Sequence, residues 1–137
     1  MNTAIRLFAI LFALCLVAPV QAAESVRTEP VRVEVLFMNH GPLRATINDL
    51  RTLFARYEVK ITVAWHDFES AEGEKFMESK GITEHIPLII WINDKSVQKI
   101  DGVDVSFRGF PSGTGPAMFQ GSWDMDRLDK ALEQATR

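Results

Sequence analysis

Cysteine is almost missing from this chain: one is present in 137 residues, Cys15. Beyond it there is no thiol, so no disulfide can form there and no thiolate is at hand for exchange chemistry. A surplus of one charge is missing too. The formal net charge is −3, from 15 basic and 18 acidic residues. The two signs are interspersed without a like-charge block, which removes the electrostatic case for a nucleic acid or an anionic membrane surface as partner. Internal repeats are absent. Long apolar runs are rare, and the one that stands out, at 7–20, has about 14 residues where a membrane-spanning helix needs about 20.

That run follows a single cation, Arg6, and leads into Ala18-Pro19-Val20-Gln21-Ala22-Ala23. A cation, a short apolar core and small residues at cleavage spacing make 1–23 a signal peptide, cut after Ala22 or Ala23. The alternative is an uncleaved N-terminal anchor, which would then be the only hold on a membrane. Lipid attachment at Cys15 fits poorly because the bulky Leu14 precedes it. Cleavage removes both Cys15 and Arg6 and takes the net charge from −3 to −4. The expected product is a periplasmic or secreted protein without thiols, held together by its core alone.

A polar leader over 24–30 precedes one domain at 31–137, a length that suits a single core. Val31, Val33, Val35 and Phe37 alternate, with Leu36 and Met38 joining late, so 31–38 predicts a strand that becomes buried on both faces. Pro42 suits a first helical turn. Leu43, Ile47, Leu50 and Phe54 then recur at helical spacing. Val59, Ile61, Val63 and Trp65 predict a second strand. The segment 70–80 predicts a helix capped by Ser70 and stopped at Gly81. Ile86 to Ile92 is apolar throughout, with Pro87 at a position that a strand tolerates. The segments 97–100 and 103–107 predict a hairpin around Asp101-Gly102, with Val103, Val105 and Phe107 on one face. Residues 109–121 hold four glycines and two prolines, too many for a regular element, and a long loop in a small domain usually has a task. Asp124 caps a last helix carrying Met125, Leu128, Ala131, Leu132 and Ala135 inward. The order predicts an α/β fold with a mixed sheet. Its first two strands are parallel across a helical crossover, and the last three form an antiparallel meander.

At the first strand-to-helix joint stands Asn39-His40-Gly41-Pro42-Leu43. With Ile86-Pro87 further on and this order of elements, the chain resembles the thioredoxin-like family over nearly all of 31–137. In that family the joint carries Cys-Gly-Pro-Cys; here Gly41-Pro42 keep the two middle residues, and His40 and Leu43 take the places of the cysteines. The resemblance implies a thioredoxin-like three-layer α/β/α sandwich with a mixed central sheet. It implies a cis-proline at Pro87 facing the joint, and a groove there in which an extended backbone can pair. With no sulfur to attack or leave, it implies a redox-inactive protein.

The first expectation for function is therefore a binding protein for a periplasmic protein or peptide. Its site would comprise Asn39, His40, Gly41, Pro42, Ile86, Pro87, Phe110 and Phe119. Trp65 and Trp91 end buried-looking strands and belong in the core. A second expectation is a copper or zinc site formed by His40, His66 and His85, with Met38 or Met118 as a thioether ligand, since all three histidines map to one end of the sheet; otherwise no cofactor is implied. A third is an enzyme with His40 at a helix start, Asp67 orienting His66, and the amides of Gly113-Thr114-Gly115 receiving a small anionic substrate.

Overall fold

A computed structural model describes residues 29–137; the expected signal peptide, Cys15 and most of the leader lie outside the described residues. Strand β1 (Val31–Phe37) is the centre of a three-stranded mixed sheet. It runs parallel to β2 (Ile61–Asp67) and antiparallel to β3 (Leu88–Ile92), giving the order β2-β1-β3. The parallel pair is joined through helix α1 (Arg44–Ala55), as a crossover requires. The fold is thus mixed α/β. Among the described residues no helix is long and apolar enough to cross a membrane.

Strand parity splits the core in two. Val33 and Val35 of β1 line one face with Ile90 and Ile92 of β3. That face packs against Ile47, Leu50, Leu53 and Phe54 of α1 and against Leu128, Ala131 and Leu132 of α3 (Met125–Ala135). Leu36, Ile89 and Trp91 line the other face, under Phe76 and Met77 of α2 (Ala71–Lys80). The caps are those anticipated: Ser70 Oγ accepts the Gly73 N–H at 2.9 Å, and an Asp124 carboxylate oxygen accepts the Arg127 N–H at 2.8 Å. Glycine is obligatory at position 73, where a Cβ would lie 1.8 Å from the carbonyl oxygen of Asp67; its absence lets α2 start tight against the end of β2.

Glu34 is the exception to this apolar centre. It is buried on the α2 side, where Lys80 Nζ lies 2.7 Å from its carboxylate and 2.8 Å from that of Asp94. Arg32 holds Asp94 from the other side. Burial works against the Lys80 charge, but the hydrogen bonds to Asp94 and Glu34 outweigh it and raise its pKa above the ordinary lysine value.

The structure differs from expectation in three places. Val59 is not in β2: Glu58 takes a φ of +47°, Glu58–Lys60 form a 3-10 turn, and Val59 is 84% exposed. The Ile86-Pro87 bond is trans, as are all the described peptide bonds. A trans bond is the favoured state of an X-Pro pair; the Pro87 carbonyl, on the following peptide, accepts the Met38 N–H. Third, β4 (Val97–Ile100) and β5 (Val103–Ser106) do pair around Asp101-Gly102, but as a separate ribbon. Asn93 and Asp94 both take positive φ and turn the chain off the sheet. The outer edge of β3 is filled instead by the returning chain: Ile90 N–H donates to Phe107 O at 3.0 Å and Gly109 N–H to Leu88 O at 2.8 Å. Val105 and Phe107 are buried, while Val103 is exposed.

Substituting Lys80→Met leaves the Glu34 carboxylate buried without a partner, and should cost about 3 kcal/mol of stability in a urea titration at neutral pH. Adding Glu34→Gln to that variant should restore most of the loss, because no buried charge is then left without a partner and Asp94 keeps Arg32.

Candidate functional site

The site begins where β1 runs out. Met38, nearly fully buried, donates its N–H to Pro87 O at 2.9 Å, so the exit of β1 is tied to the entry of β3. Asn39 and His40 are exposed. Gly41–Leu43 make a 3-10 turn, with Leu43 N–H donating to His40 O at 3.0 Å, and α1 follows. Pro42 sits in the first turn, where its missing N–H costs nothing. Leu43 points into the core at 1% exposure.

Residues 109–121 build the opposite wall, and they are more ordered than their composition suggests. Phe110 and Gln120 form a parallel bridge, through Phe110 N–H to Phe119 O at 2.8 Å and Gly121 N–H to Phe110 O at 2.7 Å. The Gln120 amide accepts from Gly113 N–H and donates to Gly115 O, bracing the loop from within. At Gly115, a Cβ would lie 2.4 Å from the Phe110 ring, so only glycine lets the chain lie flat on that ring. Trp123 anchors the base: it is fully buried, packs edge-on against Phe107, and donates its indole N–H to Gly109 O at 3.2 Å.

Between these walls lies a cavity of about 200 Å³, lined by Met38, His40, Pro42, Leu43, His85, Pro87, Phe110, Pro116 and Phe119. Its surface is almost wholly apolar. A second cavity of about 270 Å³ adjoins it across Met38 and His40, with Asn39, Arg44, Asn48 and Arg51 on its walls. Of the expected partner-binding residues, His40, Pro42, Pro87, Phe110 and Phe119 line the apolar cavity and Asn39 lines its neighbour. Gly41 lines neither, and Ile86 faces away into the α2-side cluster. Phe110 is a core residue that shows one surface to the cavity, not an exposed anchor. Phe119, 39% exposed, and Met118, 83% exposed, are the open apolar groups of the loop.

The histidines do not converge as a set. His40 and His85 line the apolar cavity with Met38. His66 is turned to the other face of the sheet, stacked on Phe76 with ring centres 3.7 Å apart and its Nε2 buried without a partner. Among the described residues no three His, Cys, Asp or Glu side chains are grouped to hold a metal. The cause is parity: His66 pairs with Leu36, whose side chain belongs to the α2 face. The enzyme reading loses its supports as well. Asp67 accepts from Glu69 N–H and, through its carbonyl, from Ser70, so it shapes the turn into α2 and does not orient His66. The Gly113 and Thr114 amides are spent inside the loop. His40 Nε2 has only Glu69 beside it, at 3.4 Å, both groups being well exposed.

No family model matches the chain, and none of the curated proteins matches it in sequence. Sequence reasoning missed Trp123, Pro116 and the two arginines of the second cavity. Arg44, Asn48 and Arg51 do recur at i, i+4 and i+7 on α1, the one signal that was available.

Burial opposes the charged form of His66 and lowers its pKa from the ordinary 6.5. As the pH falls through that value the unfolded chain takes up the proton first, so stability is full above it and declines below it. His66→Phe keeps the stack on Phe76 and removes the titrating group. Urea titrations at about pH 7.5 and about pH 5 should show a smaller acid-side loss for this variant than for the wild type; equal losses would place the acid sensitivity elsewhere.

Proposed function

We propose that this chain is an exported, redox-inactive, thioredoxin-like binding module that takes an extended peptide or protein segment of a periplasmic partner by an apolar side chain. The observation that carries this reading is the apolar cavity of about 200 Å³ at the joint between β1 and α1. Burying a leucine- or phenylalanine-sized side chain there is worth about 1.5–3 kcal/mol, and such concave, largely apolar sites with a few polar groups are the usual form of binding pockets. The thioredoxin-like sandwich is part of the proposal. It is supported by the crossover through α1, by helices on both faces of a mixed sheet, and by His40-Gly41-Pro42-Leu43 at the joint. Residues 29–137 hold no cysteine, so binding without thiol exchange is what the site can offer. The trans Pro87 alters the presentation of the backbone, which moves the weight of recognition from β-pairing to the apolar cavity.

Fluorescence anisotropy with labelled peptides bearing a central Leu, Phe or Met should give dissociation constants in the micromolar range, typical of small transient contacts. Phe119→Ala should weaken binding by about tenfold, and His40→Ala by less, because truncating a central apolar contact typically costs more than 1 kcal/mol. Absence of binding by every such peptide at about 1 mM, equivalent to less than about 4 kcal/mol of affinity, would dismiss the reading.

A further inference from the structure

The two cavities that meet at Met38 and His40 have opposite chemistry. One is apolar; the other carries Arg44, Asn48 and Arg51 along a single stripe of α1. No carboxylate lines this second cavity, although the chain as a whole has a net charge of −3. Among the described residues Arg32, Arg56, Arg108 and Arg127 each pair with a carboxylate, whereas Arg44 and Arg51 pair with none. Arg51 also sits over an aromatic face: its guanidinium carbon lies 5.3 Å from the centre of the Trp65 ring. A guanidinium stacked on an aromatic face keeps its in-plane N–H donors open, the geometry that receives a carboxylate through two parallel hydrogen bonds. The carboxylate of Glu69 lies 3.4 Å from His40 Nε2 and lines neither cavity.

We propose that the partner segment is acidic as well as apolar, a refinement that rests on the peptide-binding reading above. It sets an apolar side chain between Pro87 and Phe119 and lays an Asp or Glu side chain against Arg44 and Arg51. Side chains of an extended chain return to the same side every second residue, about 6.6 Å along, so the acidic residue stands two positions from the apolar one. Charge complementarity identifies the occupant: unpaired guanidinium groups concentrated beside an apolar cavity, with no carboxylate on the cavity wall, select against partners that are merely apolar.

The test uses hexapeptides blocked at both ends, each with one Leu and, two positions before or after it, Glu, Gln or Lys. Binding is measured by anisotropy to the whole purified protein at low and at moderate salt. The better-placed Glu peptide should bind about five- to tenfold more tightly than its Gln counterpart, equivalent to about 1–1.4 kcal/mol, and the margin should shrink with salt. The double variant Arg44→Gln/Arg51→Gln should abolish that margin while binding the Gln peptide within about twofold of wild type, and Arg51→Lys should retain only part of it. Equal affinity for Glu and Gln peptides, or a Glu preference that survives in the double variant, overturns the proposal while leaving the apolar reading intact. Failure of all peptides, including those that Phe119→Ala should weaken, overturns both. The same peptides are also tested with a free C-terminal carboxylate, and a preference that appears only in that set overturns the proposal as well, in favour of chain-end recognition.

Discussion

Strand β1 has no face left for water between Val33 and Leu36, all four residues being buried. Much of the structure follows from that constraint. A central strand flanked on both edges and buried on both faces needs helices above and below, and α1 with α3 on one side and α2 on the other supply them. It also makes Glu34 expensive, since an ionised carboxylate in such a place is tolerated only with a partner. Lys80 at the end of α2 is that partner, and it reaches Asp94 at the end of β3 as well. A single buried charge thereby links β1, α2 and the turn that throws the β4–β5 ribbon away from the sheet.

The same strand creates the site by ending. Where β1 stops, the Met38 amide still has to be paired, and Pro87 O accepts it. The exit of β1 and the entry of β3 are therefore fixed side by side, with the Gly41–Leu43 turn rising between them and α1. What makes a cavity of this corner is the far wall. Trp123 is buried at its base, and replacing a tryptophan so placed by alanine costs about 3–5 kcal/mol. Gly115 lies on the Phe110 ring, and Gln120 braces the loop internally. The loop is thus a built partition, not a loose connection, and Phe119 and Pro116 are held over Pro42 and Pro87 as a consequence.

Polarity across the site is uneven for a similar reason. The stripe of α1 that faces the sheet carries Ile47, Leu50 and Phe54; the neighbouring stripe carries Arg44, Asn48 and Arg51 and overhangs the corner. Trp65, at the end of β2, packs against Phe54 and receives Arg51 on its ring. An aromatic that serves the core on one side positions a cation on the other, so the arrangement beside the apolar cavity is supported by the packing and not only by surface side chains.

Much of this was legible from the residues alone. The period-two run from Val31, the alternation of Ile61, Val63 and Trp65, the helical stripe from Ile47 to Phe54, and the caps at Ser70 and Asp124 are local signals, and the elements formed there, with β2 starting two residues later than the alternation from Val59 suggested. The position of the strand-to-helix joint at Asn39–Leu43 was legible too, because a glycine and a proline there leave few other conformations. With no cysteine after Cys15, it was legible without any coordinates that the joint itself carries no thiol. Tertiary structure alone decided the rest. Register turned His66 to the α2 face and left His40 and His85 on the cavity. The positive φ of Asn93 and Asp94 gave the edge of β3 to residues 107–109 instead of to β4. Packing of Gly115 on Phe110 took that ring out of the solvent and left Phe119 exposed. Each depends on residues far apart in the chain meeting in one place, and hydrophobic period and turn chemistry report only on neighbours.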